Sequence, residues 1–490
     1  MDVKKYEPVF YPRSIAVIGA SNSPMKFGGM FLRTTLSYGF KGEIYPVNPK
    51  GGEIHGMKSY PRVEDVPAEV DFAVITVPAE HVMDAVRGCV KKGVKGAEIL
   101  AAGFREAGPD GEKLEAEVTR VAKKGGLRII GPNCFGVYSP AAGLTLMPGI
   151  DFSRKHGPVG FISQSGGGAC DSAYMSMGRN VHFSVSVSYG NGADINAAEM
   201  LRYFEADERT KIVGAYLEGV DDGRDFLDAL KACAKKKPVA ILKGGLSEQG
   251  NRGTMGHTGS MAGTGEAWHA AMKSAGAVSA ESLDDLVDLL MAFNCLEEFH
   301  GGGAGILAGG GLRAVDGLDA ASAFNFKVPE LDDERAGRIQ SMLPPAGGKG
   351  ANPVDLANPV MSPIVINPAM EILSERDDIN FLVIYQMLFY LLNEARRMKE
   401  ATGNDMDLEY HTAITEKAVE IRDRTGKPLS MVLLDIASTP DHIEIERGRR
   451  VAREYYTAHG VPVFDTGLRA FSVLRRVADY YNNREKSRRG

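Results

Sequence analysis

The stretch GTMGHTGSMAG, residues 253–263, sets one histidine, His257, in a loop of glycines and other small residues. A neutral imidazole is a nucleophile near pH 7 and needs no metal to act as one. Gly256 and Gly259 leave room for a group carried on the ring and let the loop move. The neighbouring sequence speaks against metal ligation: it has no Cys-x-x-Cys, no second histidine at ligand spacing and no aspartate. Alone, such a histidine is more often a solvated loop residue, so its company in the chain has to decide.

That company is a set of glycine-rich turns. VGFISQSGGGACDSAYM (159–175) and AGILAGGGLRAVDGLDA (304–320) both read as strand, triple glycine, helix. Such a turn aims free backbone N–H groups and a helix dipole at whatever lies above it, normally an anion. One such turn could serve helix–sheet packing alone; two favour anion binding. A third turn, GASNSPMKFGG (19–29), follows the first strand but is not G-x-G-x-x-G. The second strand ends in Val47, Asn48, Pro49 and Lys50, where an NAD site would carry an acid. Lys50 suits a phosphate on an adenosine ribose, as in NADP or coenzyme A, and equally reads as a surface lysine. VPAE (77–80), AAGFRE (101–106) and GPNCFG (131–136) form the other strand ends, a low wall that a long thin ligand could cross. Cys134 has no base near it in sequence and reads as a buried structural thiol.

The elements that must position these residues alternate. Strand-like runs at 14–20, 42–50, 71–78, 96–104 and 127–133 are separated by helical periods at 27–39, 80–93 and 112–126. A second series runs through 157–178, 183–191, 211–219 and 238–245, and a third through 301–321, 381–387, 411–426 and 428–436. Continuous apolar strands alternating with helices predict α/β domains with parallel sheets covered on both faces.

A chain of 490 residues is too long for one domain, and 44% apolar with 24% charged residues reads as soluble and globular. The net charge of −6 excludes the basic face of a nucleic-acid binder. Cys89, Cys134, Cys170, Cys233 and Cys295 are odd in number and widely spaced, which predicts a reducing compartment and neither disulfides nor a structural metal. The N-terminus has no signal-type apolar run, and no segment approaches a membrane span, so a cytoplasmic location is expected.

GASNSPMKFGG, IYPVNPK, TVPAE, AAGFREAG, GPNCFG, FISQSGG, SYGNGADIN, YLEG and GHTGSMAG occur here in one order, followed by LPPAGGKGANPVDL (343–356). This ordered set, covering nearly the whole chain, resembles the NDP-forming acyl-CoA synthetase superfamily: succinyl-CoA synthetase alpha subunits and, above all, the alpha subunit of ADP-forming acetate–CoA ligase. The resemblance implies a Rossmann-like CoA-binding domain (1–140) followed by two flavodoxin-like parallel-sheet domains (141–298 and 299–490). It implies coenzyme A bound near Gly19, Ser21, Lys26, Asn48, Lys50, Val77, Pro78, Ala102 and Gly103. His257, in GHTG, matches the family's transiently phosphorylated histidine, and Glu218, in YLEG, matches the carboxylate that holds its second ring nitrogen. Ser163, Ser165, Gly166 and Gly167 would hold the phosphate, with Asn133 and Ser165 near the acyl transfer.

The implied reaction interconverts acyl-CoA, phosphate and ADP with acid, coenzyme A and ATP, through acyl phosphate and phosphohistidine. No Walker A loop or ATP-grasp stretch is found, so ADP/ATP and Mg are expected on a separate ATP-grasp beta subunit, with two of each chain. The acid, a small organic one, and the choice of ADP or GDP stay open. One departure is Arg313 in GGGLRAVD, where the family pattern runs closer to Gly-Gly-Pro-Gly; beside a helix N-terminus it reads as an anion or partner contact, or as a surface residue. Two alternatives stand beside this reading. One is a non-catalytic CoA-binding or regulatory protein of the same fold. The other is an NADP oxidoreductase, which Lys50 permits but no plausible proton donor accompanies.

Overall fold

Short apolar runs that stop at glycine or proline make the strands, and three large sheets result, beside a two-stranded antiparallel pair, Glu53–Ile54 with Met57–Lys58. The computed structural model describes residues 1–146, 149–250, 252–253, 265–344, 348–404, 410–436 and 439–489. In the first sheet, β1 (Ser14–Ile18), β2 (Glu43–Val47), β3 (Phe72–Ile75), β4 (Gly96–Ile99) and β5 (Arg128–Ile130) are all parallel, in the order β2-β1-β3-β4-β5. All five residues of β1 are buried. Alternation sends Ile15 and Val17 to one core and Ala16 and Ile18 to the other, as a sheet covered on both faces requires.

The second sheet contains β6 (Gly136–Tyr138), β7 (Val159–Ser163), β8 (Phe183–Ser188), β9 (Ile212–Leu217), β10 (Val239–Lys243) and β11 (Val278–Ala280), ordered β11-β10-β9-β7-β8-β6. The third contains β12 (Ala304–Ala308), β13 (Lys349–Gly350), β14 (Val354–Asp355), β15 (Phe381–Gln386), β16 (Leu429–Leu433) and β17 (Val463–Phe464), ordered β13-β14-β12-β15-β16-β17. Both carry one antiparallel edge strand, β6 against β8 and β13 against β14. Sequence periodicity does not show these edges, because two or three residues are too few to express a period.

In each of the three large sheets the strand order reverses beside one inner strand: β1, β7 and β12. Each of the three is followed by one of the glycine turns. The three turns therefore sit at topological switch points, where adjacent connections part to opposite faces and a crevice opens at the strands' carboxyl ends.

The chain divides into two compact units, residues 1–177 with 181–286 and residues 178–180 with 287–490. The first two sheets lie in the first unit, where one buried cluster runs from Ile15, Val17 and Phe72 through to Ile162, Val187, Leu201 and Phe204. Polar groups fix the two sheets to each other. Asp194 accepts the Ile129 N–H at 2.8 Å and the Arg128 Nε at 2.9 Å, and Arg128 also reaches Glu199 at 2.8 Å. Among the described residues no helix is long and apolar enough to cross a membrane.

Glu98, in the middle of β4, closes the same seam. It is fully buried, accepts the Val137 N–H of β6 at 3.0 Å, and has no hydrogen-bond partner on Oε1. Gly136, at φ +84°, leaves the space: a Cβ there would lie 2.1 Å from Glu98 Oε2. Burial pushes the Glu98 carboxyl up to about 8, against the one backbone hydrogen bond that lowers it. Folded protein then binds more protons than unfolded between the ordinary glutamate value and about 8, so this group's contribution to stability falls as pH rises through that window. Glu98→Gln keeps an acceptor for Val137 without the titration. Denaturant unfolding is expected to show little change against the native chain near pH 4.5, and a gain growing to about 2–4 kcal/mol by pH 8.

Candidate functional site

The first site lies over the carboxyl ends of β1, β2 and β3. Gly19 takes φ +95° directly after β1, and a Cβ there would meet the Thr76 hydroxyl at 2.6 Å. That hydroxyl donates to Ile18 O at 2.9 Å, locking the first turn to the end of β3. Helix α1 (Phe27–Tyr38) begins so close to this turn that a Cβ on Gly28 would lie 2.1 Å from Gly19 O. Asn48 ties the two strand ends together: its Nδ2 donates to Ala20 O at 2.9 Å, and its Oδ1 accepts the Lys50 N–H at 3.0 Å. Lys26 and Lys50 are exposed and Ser21 is half-buried, with the Ser21 hydroxyl accepting the Ser23 N–H at 3.1 Å. Val77 and Pro78 lead into helix α2 (Ala79–Lys92), and Ala102 and Gly103 follow β4 in a loop. A row of partly open strand ends with two exposed lysines fits a long phosphorylated ligand.

The GPNCFG turn joins this site to the next. Asn133, at φ +57°, donates its N–H to Ala101 O at 3.0 Å. Its carbonyl packs against Gly190, where a Cβ would come within 2.2 Å of Asn133 O. The Asn133 backbone is thus pinned between the loop after β4 and the turn after β8, with its side chain partly exposed. Cys134 is buried, donates its thiol to Ile99 O at 3.3 Å and is pushed up strongly by burial, as a structural thiol should be.

The second site lies over β7, β9 and β10. Helix α3 (Gly166–Met177) starts immediately after the turn that follows β7. Ser165 Oγ accepts the Gly168 N–H at 3.2 Å, capping the helix, while Ser163 Oγ donates to Ser165 O at 2.6 Å. Ser163 therefore supports the turn from below, and the first-turn N–H groups of Gly166 and Gly167 have no acceptor within the helix. Gly166 has no room for a side chain, because a Cβ would meet the Phe135 ring at 2.8 Å; Gly167 faces open space.

Glu218 follows β9 and is 5% exposed. Gln164 Oε1 accepts the N–H groups of Glu218 and Gly219 at 2.7 and 3.0 Å. Lys243, the last residue of β10 and 7% exposed, donates to Glu218 O at 2.8 Å and to Gly244 O. Tyr216 OH donates to a Glu218 carboxylate oxygen at 3.2 Å, and burial, then the Glu218 charge, push this phenol up to about 12. Burial lowers the Lys243 ammonium from the ordinary lysine value, and the nearby Glu218 opposes that. The Glu218 carboxyl group and the α3 start thus belong to neighbouring strand ends, since Ser163 and Tyr216 pair in register. From Gly244, beside Glu218, the chain runs on toward GHTG. His257 and the rest of its loop, 254–264, lie outside the described residues.

Sequence reasoning missed Gln164, Lys243, Arg105, Glu106 and Asn191. Lys243 carried a signal, a charge closing the apolar run PVAILKGG. The others act across 54 to 86 residues of chain, which no local pattern shows. Arg313, in the second unit, is half-buried in the first turn of the helix Gly311–Ala323, within electrostatic reach of Tyr385. No group of three or more metal-ligating side chains occurs among the described residues.

Two family models match the chain: a CoA binding domain over residues 13–140 and a succinyl-CoA ligase like flavodoxin domain over residues 156–293. The alpha subunit of ADP-forming acetate–CoA ligase II from Pyrococcus furiosus is 38% identical over 347 residues, 71% of this chain and 75% of that one. ADP-forming acetate–CoA ligase II from Archaeoglobus fulgidus is 31% identical over 492 residues, 98% of this chain and 67% of the relative. Among solved structures, a dinucleotide-forming acetyl-coenzyme A synthetase 1 of Ca. Korarchaeum cryptofilum, in complex with phosphate and ADP, superposes with a TM-score of 0.80 at 30% identity, covering 98% of this chain and 97% of that one.

The Lys243 ammonium donates to two backbone carbonyls, those of Glu218 and Gly244. Lys243→Met keeps the length of the side chain and leaves those carbonyls unpaired. It is expected to cost about 1–3 kcal/mol in denaturant unfolding, and to weaken phosphate-dependent activity because the Glu218 backbone loses one of its two anchors.

Proposed function

The chain belongs to the family of ADP-forming acetate–CoA ligases, and we propose that it performs the CoA-dependent and phosphoryl-carrying steps of that chemistry as an alpha-type subunit. It is an ADP-forming acid–CoA ligase chain that binds coenzyme A. The observation that carries the mechanism is the pairing of a capped helix start, with the Gly166 and Gly167 N–H groups open, and a rigidly held Glu218 on an adjacent strand end. Backbone donors at a helix N-terminus suit phosphate, and a buried carboxylate suits an imidazole that must stay correctly turned.

Three reversible steps follow. Phosphate oxygen attacks the acyl carbon of the thioester, the C–S bond breaks, and acyl phosphate and coenzyme A thiol form. An imidazole nitrogen of His257 attacks the phosphorus of the acyl phosphate, the P–O bond to the acyl group breaks, and the carboxylate leaves. The terminal phosphate oxygen of ADP then takes the phosphoryl group from His257, giving ATP and restoring neutral imidazole. Glu218 accepts the hydrogen of the other ring nitrogen and stabilises the charged ring during transfer. Gly166, Gly167 and Ser165 hold the phosphoryl oxygens, Ser163 supports their turn, and Asn133 stands at the acyl-transfer position.

Coenzyme A would run over Gly19, Ser21, Lys26, Asn48, Lys50, Val77, Pro78, Ala102 and Gly103, with the two lysines meeting its phosphates. In this reading residues 1–140 bind coenzyme A, 141–298 carry the phosphohistidine and 299–490 form the second flavodoxin-like domain. The alpha-subunit names of relatives support a partner subunit. We assign to it the ATP-grasp fold and the ADP/ATP site with Mg, in an assembly of two of each chain acting on a small organic acid in the cytoplasm.

The test reconstitutes the full chain with a nucleotide-binding subunit and supplies labelled phosphate, ADP and a panel of acyl-CoAs. Acid-labile, base-stable label is expected on His257, and His257→Ala is expected to lower ATP formation at least about a thousandfold. Unchanged ATP formation in His257→Ala would overturn the carrier role of this histidine, while no ATP formation by the native complex would leave a CoA-binding regulatory protein.

A further inference from the structure

The SYGN turn after β8 holds a residue for which the chemistry above has no use. Asn191 is 2% exposed, and its side-chain amide donates from Nδ2 to two carboxylates, Glu106 Oε2 at 2.6 Å and Glu115 Oε2 at 2.8 Å. Glu106 turns its other oxygen back on the coenzyme-side loop, accepting the Gly103 N–H at 2.6 Å and the Phe104 N–H at 3.1 Å. Burial would raise the Glu106 carboxyl, yet the hydrogen bonds from Asn191, Phe104 and Gly103 hold it below the ordinary glutamate value. Arg105 closes the ring from the same loop, donating to Asn191 O and to Asp221 Oδ2 at 3.2 Å. The backbone of the turn is tied to the acyl-transfer segment as well: Asn191 donates its N–H to Pro132 O at 3.0 Å, and Ala193 donates to Gly131 O at 3.1 Å.

We propose that Asn191 is a positioning residue for coenzyme A: its amide sets the Ala102–Glu106 loop and the Asn133 turn at a fixed height above the second sheet. The chemistry is specific to an amide. Two carboxylates converge on one NH2 group, which has one hydrogen for each, so a carboxylate at position 191 would oppose both and an aliphatic residue would take one donor from each, leaving Glu106 to Gly103 and Phe104 and Glu115 to Arg105. The coenzyme-side loop would then relax away from the strand ends of the second sheet, while the capped helix start and Glu218, held by Gln164 and Lys243, would stay in place. The inference rests on the reading of Ala102 and Gly103 as coenzyme contacts.

The experiment compares the native chain with Asn191→Ala, Asn191→Asp, Glu106→Gln and the double variant Asn191→Asp/Glu106→Gln. Each is measured as the full chain by calorimetric titration with coenzyme A, and after reconstitution for the Michaelis constants of acyl-CoA and phosphate. Asn191→Asp is expected to weaken coenzyme A binding and raise the acyl-CoA KM about tenfold or more, with the phosphate KM within twofold. The double variant is expected to recover part of that loss, since the Glu106 side of the clash is relieved while the carboxylate at 191 still faces Glu115. Its amide, now at position 106, still accepts from Gly103 and Phe104 and donates to the carboxylate now at position 191. A purely structural role would instead lower the melting temperature and move both KM values together. Coenzyme A affinity within twofold of the native chain in both Asn191→Ala and Asn191→Asp, or no recovery in the double variant, would overturn the proposal. Failure of the native chain to convert acyl-CoA at all would sink the functional reading instead, and the calorimetric arm would still decide the role of Asn191.

Discussion

The first unit depends on how five residues, 131–135, carry the chain from the last strand of one parallel sheet to the edge strand of the next. So short a passage has no slack, and each end is gripped by a buried acid from elsewhere. Asp194 takes the Ile129 N–H and the Arg128 guanidinium before the passage, and Glu98 takes the Val137 N–H after it. In consequence the carboxyl ends of the two sheets meet along Asn133, which touches both the loop at Ala101 and the SYGN turn at Gly190. The two candidate sites are brought into reach by the connection itself rather than by a hinge.

The second site shows how a charge-handling centre is kept rigid without rigid side chains facing the ligand. Its proposed ligand contacts are mostly backbone: glycine N–H groups at the start of α3. The rigidity is supplied from behind, by Ser163 under the turn, by Gln164 accepting two consecutive N–H groups, and by the Lys243 ammonium bridging two carbonyls. Burying a lysine is costly unless its donors are used. Here carbonyls take two of them and the Glu218 carboxylate lies near, so the charge of the ammonium also balances that of the acid. Glycine at 166 and 168 follows from the same packing, since Phe135 and the Ser163 hydroxyl occupy the space a side chain would need.

Much of this was legible in the sequence, and the part that was not has a physical pattern. β1, β3, β7 and β9 announce themselves as apolar runs closed by glycine, proline or acid, and the structure ends them within a few residues of those signals. The glycine turns after β1, β7 and β12 were readable as anion-binding candidates; their common place at switch points was not, because strand order is a long-range property. The edge strands β6 and β13 were too short to carry a period. Buried Glu98 and Lys243 stood out only as charges within or at the end of apolar runs, and their partners, Val137 and Glu218, lie 39 and 25 residues away. Asn191 was visible as part of a motif, yet its role depends on Glu106 and Glu115, which the sequence separates from it by 85 and 76 residues.

A division of labour follows from the kinds of atoms used. Backbone N–H groups at a helix start recognise a phosphoryl group through its charge and shape, and they are indifferent to the acyl chain attached to it. Exposed lysines recognise phosphates with the same indifference. On the proposed function, selection of the acid would then fall to side chains near Asn133 and Ser165, the residues assigned to acyl transfer. A cavity in the first unit is lined in part by Arg105, Gln164, Tyr189, Asn191, Gly219 and Asp221. Four of these side chains are committed elsewhere: Arg105, Asn191 and Asp221 to the seam, and Gln164 to Glu218. A change at any of them would disturb the phosphate site or the coenzyme-side loop along with the cavity. Tyr189 carries neither of those side-chain ties; its ring is buried and fills the space beside Gly192, so the cavity wall there is set by packing rather than by hydrogen bonds.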